Sequence, residues 1–124
     1  MDKETQEKQK EKGPVQLKLA EHTLTALLFG EIDHHSAREI REEIDMVLMR
    51  VRPQKLVLNF AGVQFMDSSG IGLILGRCKL MQLWQGKVAL QDLPLKLEQL
   101  VAMAGLDELC EIQTKEEPKN EANQ

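Results

Sequence analysis

The chain has 124 residues, 42% of them hydrophobic and 29% charged, with 20 acidic against 16 basic side chains and a net charge of −4. That length builds one domain around one modest core and excludes a second. The lack of a long basic block argues against a nucleic-acid surface. Three Phe, one Trp and no Tyr cannot make a base-stacking platform, and no stretch approaches the roughly 20 apolar residues needed to cross a bilayer.

Residues 1–13 carry eight charges and one strongly apolar side chain, Met1, with no signal-peptide core. They are predicted to be a disordered tail of a cytoplasmic protein, and the polar residues 114–124 around Pro118 a second one, leaving a folded domain at 14–113. Val15, Leu17 and Leu19 alternate with Gln16, Lys18 and Ala20 as in a half-exposed strand. Thr23 to Phe29 reads as its hairpin partner across Glu21-His22. Gly30 to Ser36 is then predicted to be a loop, followed by a helix with Ile40, Ile44, Val47, Leu48 and Val51 at helical spacing, ended by Pro53.

Lys55 to Phe60 is a short buried strand, and a helix over about 69 to 84 carries Ile71, Ile74, Leu75, Cys78 and Met81 on one stripe. Gly86 breaks the chain before a strand at Lys87 to Leu90. A helix from about Pro94 presents Leu97, Leu100, Val101 and Ala104, with Gly105 as its cap, and Leu109 to Ile112 is a last strand. The order β-β-α-β-α-β-α-β makes an α/β fold, a small mixed sheet with an initial antiparallel hairpin, then parallel crossovers, and helices packed over it.

The informative segment is Phe65-Met66-Asp67-Ser68-Ser69-Gly70-Ile71-Gly72, which puts two adjacent hydroxyls between a strand and a helix start. Asp67 or Ser68 supplies the N-cap oxygen. Free backbone N–H groups and the helix dipole tolerate an anion there, so a phosphate adding about −1.5 to −2 charges beside Asp67 would change the surface and spare the scaffold. On spacing alone the same residues read first as a plain capping cluster, and spacing cannot overturn that reading.

The segment Phe65 to Arg77, together with Gly30-Glu31-Ile32-Asp33-His34-His35, resembles the STAS domains of anti-sigma factor antagonists, most closely those acting on the sporulation anti-sigma F factor, over about Val15 to Ile112. The resemblance implies a non-enzymatic switch. It makes Ser68 the acceptor for a partner that is both serine kinase and anti-sigma factor, Ser69 a neighbouring hydroxyl that is not the acceptor, and Asp33, His34, Asp67, Ser68, Ser69 and Gly70 the partner-binding surface. A serine phosphatase resets the switch, and no cofactor, metal, membrane or direct nucleic-acid contact is implied. Family members usually carry a further C-terminal helix, but Lys115 to Gln124 has no apolar stripe to bury.

Alternatives stay open. A STAS protein of another circuit, a general stress response or a lipid-transport complex, would keep Ser68 and change the partner. Gly70-Ile71-Gly72 is similar to a dinucleotide fingerprint, but the third glycine, Gly76, falls one residue late and no acidic residue ends the next strand. Close packing of helix on sheet is sufficient reason for Gly72 and Gly76. His34-His35 lack partners at metal-ligand spacing. Asp33 also reads as a helix cap. Cys78 and Cys110 read as buried reduced thiols in a helix and a strand, Met46, Met49, Met81 and Met103 as core or boundary residues, and Trp84 as boundary packing.

Overall fold

The computed structural model describes residues 13–113. Strand β1 (Val15–Ala20) pairs antiparallel with β2 (Thr23–Ile32) across a two-residue turn in which Glu21 takes a left-handed φ of 57°. Helix α1 (His34–Val51) leads to β3 (Lys55–Met66), α2 (Ser68–Gln82) to β4 (Lys87–Gln91), and α3 (Leu95–Met103) with a 3-10 turn at Leu106–Glu108 to β5 (Glu111–Gln113). The five strands lie in chain order, and every pair after the first is parallel.

Alternate residues of the central strands, Leu24, Ala26 and Leu28, then Leu56, Leu58 and Phe60, then Val88 and Leu90, line one face of the sheet. They form a single core with Ile40, Ile44 and Leu48 of α1, Leu73, Ile74, Cys78 and Met81 of α2, and Leu97 and Val101 of α3. Stripes at three- and four-residue spacing are what make these helices lie down on a sheet. Among the described residues no helix is long and apolar enough to cross a membrane.

Several expectations change. The predicted loop from Gly30 to Ser36 is strand up to Ile32 and helix from His34, and β3 runs six residues past Phe60. The cause is long-range pairing, because β2 and β3 stay hydrogen-bonded through two register shifts to Ile32 opposite Met66. Met81 is buried, but Met46, Met49 and Met103 are 64%, 49% and 85% exposed and lie outside the stripes that face the sheet. Val51 and Ala104 are likewise exposed at helix ends.

Cys110 sits in the bend before β5 instead of in the strand. Gly105 does follow α3 in a left-handed conformation, φ 77°. Trp84 packs at the boundary, donating from Nε1 to the Pro53 carbonyl at 2.8 Å and lying under the Arg52 guanidinium, 5.6 Å from the ring centre. The expected tails and the question of a C-terminal helix lie outside the described residues.

Candidate functional site

Two strand-to-helix junctions of the same design lie side by side. Strand β2 ends at Ile32, Asp33 caps α1, and the chain continues as helix; β3 ends at Met66, Asp67 caps α2, and the chain again continues as helix. Because Ile32 is the parallel partner of Met66, the two caps stand level, and the Asp67 N–H donates to the Ile32 carbonyl at 3.2 Å. Two helix N-termini therefore emerge together at the carboxyl ends of neighbouring strands, where open α/β sheets carry binding residues.

At the first junction Asp33 Oδ1 accepts from the Ser36 N–H at 2.9 Å, and Ser36 Oγ accepts from the Asp33 N–H at 3.0 Å while donating to the Glu31 carbonyl at 2.7 Å. This is a capping box with serine in the place usually held by glutamate. The Ser36 N–H bond, chiefly, holds the Asp33 carboxyl below its ordinary value. His34 and His35 are exposed on the first helical turn, not on a loop.

At the second junction Asp67 Oδ1 accepts from the Ser69 N–H at 2.7 Å, settling which residue is the cap. Ser68 then stands exposed at the first helical position, while Ser69 is half-buried. Gly70 is buried one step further in, and a Cβ on it would overlap the Met66 side chain. Only glycine fits there, and its contribution lies beneath the exposed surface. The Asp67 carboxylate already occupies the α2 N-terminus, which disfavours a pyrophosphate there.

From Ser69 an open groove of about 580 Å³ runs between α1 and α2, lined on one side by His34, Arg38 and Arg41 and on the other by Gly72, Gly76 and Arg77. Close packing onto the sheet is not the reason for Gly72 and Gly76: both border this groove, and a Cβ on either meets nothing within 4 Å among the described residues. Arg77 is 6% exposed, with Nε 3.0 Å from Asp45 Oδ1 of α1. The pair is close but poorly aligned, and Arg77 Nη1 has no hydrogen-bond partner among the described residues. Burial pushes the Asp45 carboxyl above its ordinary value against the pull of Arg77 and Arg41.

Sequence reasoning missed this pair and the basic groove. The signal was present: the buried stripe of α2 is Gly70, Leu73, Ile74, Arg77, Cys78 and Met81, so an arginine occupies a core position and requires a partner.

A family model described as the STAS domain matches residues 15–118. An anti-sigma F factor antagonist of Paenibacillus polymyxa is 36% identical over 100 residues, 79% of this chain and 86% of its own. An anti-sigma-B factor antagonist of Bacillus subtilis is 30% identical over 103 residues, 83% of this chain and 93% of its own. Among solved structures, the anti-sigma factor antagonist SpoIIAA superposes in its unphosphorylated form with a TM-score of 0.73 at 29% identity, covering 86% of this chain and 91% of that one. Its phosphorylated form, from Bacillus, superposes with a TM-score of 0.68, covering 86% and 95%.

Proposed function

The chain belongs to the STAS domain family, and from that premise we propose that it is a non-enzymatic anti-sigma factor antagonist of the cytoplasm, switched by phosphorylation of Ser68. Unmodified, it binds an anti-sigma factor that is also a serine kinase and so releases a sigma factor. Phosphorylated, it no longer binds, and a serine phosphatase restores it. The observation that carries this reading is the exposed Ser68 hydroxyl on the first turn of α2, beside the capped Asp33 junction.

Of the two adjacent hydroxyls, Ser68 is the one open to an incoming kinase. Ser69 is half-buried with its N–H held by Asp67. A phosphate on Ser68 adds about −1.5 to −2 charges next to the Asp67 carboxylate, on a face where Asp33, His34, Asp67, Ser68 and Ser69 would meet the partner over the buried Gly70. An anion without a counter-charge in such an interface costs several kcal/mol, enough to decide binding.

Incubation with the cognate anti-sigma kinase and ATP should give one phosphopeptide, at Ser68, and abolish the complex. Full modification of a Ser68→Ala protein would overturn the assignment. The second reading is a STAS protein of another circuit, favoured by the match to an antagonist of a different anti-sigma factor, anti-sigma-B. Pull-down of the kinase from the native organism separates the two.

A further inference from the structure

Away from the Ser68 face, α2 brings Cys78 against Cys110, which precedes β5. The residues are 32 positions apart, both thiols are free, and the two Sγ atoms lie 2.8 Å from each other. A disulfide needs about 2.05 Å, so the sulfurs would have to close by less than about 1 Å. We propose that Cys78 and Cys110 form a redox modification site, in which a two-electron oxidant of the peroxide class closes an intrachain disulfide that fastens the C-terminal half of α2 to the turn leading into β5.

Access and adjustment are both provided. The cysteines are 4% and 7% exposed, but they line an open cavity of about 400 Å³ with Gln82, Lys87, Glu108 and Leu109, wide enough for a peroxide. Cys78 is held on a regular helix, whereas Cys110 follows a three-residue 3-10 turn and precedes a three-residue strand, a short segment that can shift with few hydrogen bonds to break.

The two thiols are unequal. The contact with Cys110 and the charge of Arg77 lower the Cys78 thiol, while the same contact and burial raise that of Cys110. Cys78 is therefore the attacking group. Cys78 first ionises, its thiolate sulfur attacks one peroxide oxygen and the O–O bond breaks, giving a Cys78 sulfenic acid that keeps the O–H of the peroxide, while the departing hydroxide becomes water with the proton released when Cys78 ionised. Cys110 then attacks the Cys78 sulfur, the S–O bond breaks, and the hydroxide leaves as water with the Cys110 proton. Two thiols and one peroxide become one disulfide and two waters. In a reducing compartment such a bond is transient, as befits a sensor.

The test treats the reduced full chain with equimolar hydrogen peroxide, blocks remaining thiols by alkylation in denaturant, and measures intact mass and cross-linked peptides. The expected product is a monomer lighter by two hydrogens, with one Cys78–Cys110 cross-link that dithiothreitol reverses, melting roughly 5–15 °C higher than the reduced form. Cys110→Ser should stop at a Cys78 sulfenic acid trapped by a 1,3-diketone, and Cys78→Ser should leave Cys110 unreacted. Sulfinic or sulfonic acid without the cross-link, an interchain disulfide, or two fully alkylated thiols after excess peroxide would each overturn the proposal. Should a serine variant fail to fold, the wild-type products decide alone.

Discussion

Replacing Gly70 by alanine separates packing from helix propensity within one element. Gly70, Gly72 and Gly76 all lie in α2, and alanine improves propensity at each by roughly 0.5–1 kcal/mol. None has a positive φ, so backbone strain plays no part. At Gly72 and Gly76 a Cβ meets nothing within 4 Å among the described residues, and the propensity gain is the whole effect. At Gly70 the same atom overlaps Cγ and Sδ of Met66, a side chain only 5% exposed. Cγ lies too near the backbone to swing clear, and overpacking of this kind costs about 1–3 kcal/mol.

The propensity contribution cancels between variants. Gly70→Ala should therefore be about 1–3 kcal/mol less stable than Gly72→Ala in urea titrations followed by circular dichroism, a gap of roughly 5–20 °C in Tm for a domain of this size. Shortening the obstacle with Met66→Ala should close most of that gap. A Gly70→Ala protein as stable as Gly72→Ala would refute the overlap.

Ser68→Asp should melt like the wild type, because an anion is tolerated at that helix start, yet bind the anti-sigma partner at least roughly tenfold more weakly; an unfolded variant or unchanged affinity defeats the electrostatic account. Asp33→Ala should weaken partner binding by roughly tenfold with a small fall in Tm, whereas unchanged affinity with a large fall would leave Asp33 only a cap. Since the folded Asp33 carboxyl lies below its ordinary 3.8, its contribution is complete above that value and is lost as pH falls through the lower one. Asp33→Asn should accordingly flatten the acid limb of the stability curve. Asp45→Ala strands the Arg77 guanidinium, whose side chain is 7% exposed, and should cost about 2–4 kcal/mol, while Arg77→Met leaves Asp45 31% exposed and should cost about 0–2 kcal/mol; chemical denaturation giving the reverse order would show that burial of the arginine is not the governing cost.

Element order was legible because the apolar period switches between two and 3.6 at each boundary, and the Asp67-Ser68-Ser69 cluster was legible because capping residues are short-range chemistry. What escaped depends on contacts distant in sequence. Gly30 reads as a loop signal, but its φ of 81° sits inside β2 at a register shift, where pairing with β3 outweighs the local cue. The α2 stripe holds at Ile74, Cys78 and Met81, with Ile71 and Leu75 partly buried against the core, but it omitted Leu73, Gly70, which carries no hydrophobic signal, and Arg77, which carries the wrong one, although all three are buried. The Arg77–Asp45 pair requires knowing that α1 lies against α2, and the meeting of Cys78 with Cys110 that β5 adds to the sheet beside β4.

The register of β2 against β3 acts as a ruler. Thr23 faces Lys55 and Ile32 faces Met66, so ten residues are matched against twelve, and two bulges absorb the surplus. The height of Ser68 above the sheet is thus set by counting residues, not by the chemistry of a loop. Deleting one residue near Ala61 or Gly62 would move the buried Met66 into the exposed place that Phe65 now holds, since a one-residue slip re-aims the side chains of a strand. Gly70 would lose the side chain it rests on, and Asp67 would no longer come level with Asp33. The stretch from Asn59 to Asp67 should therefore tolerate substitutions on its exposed positions but no change of length.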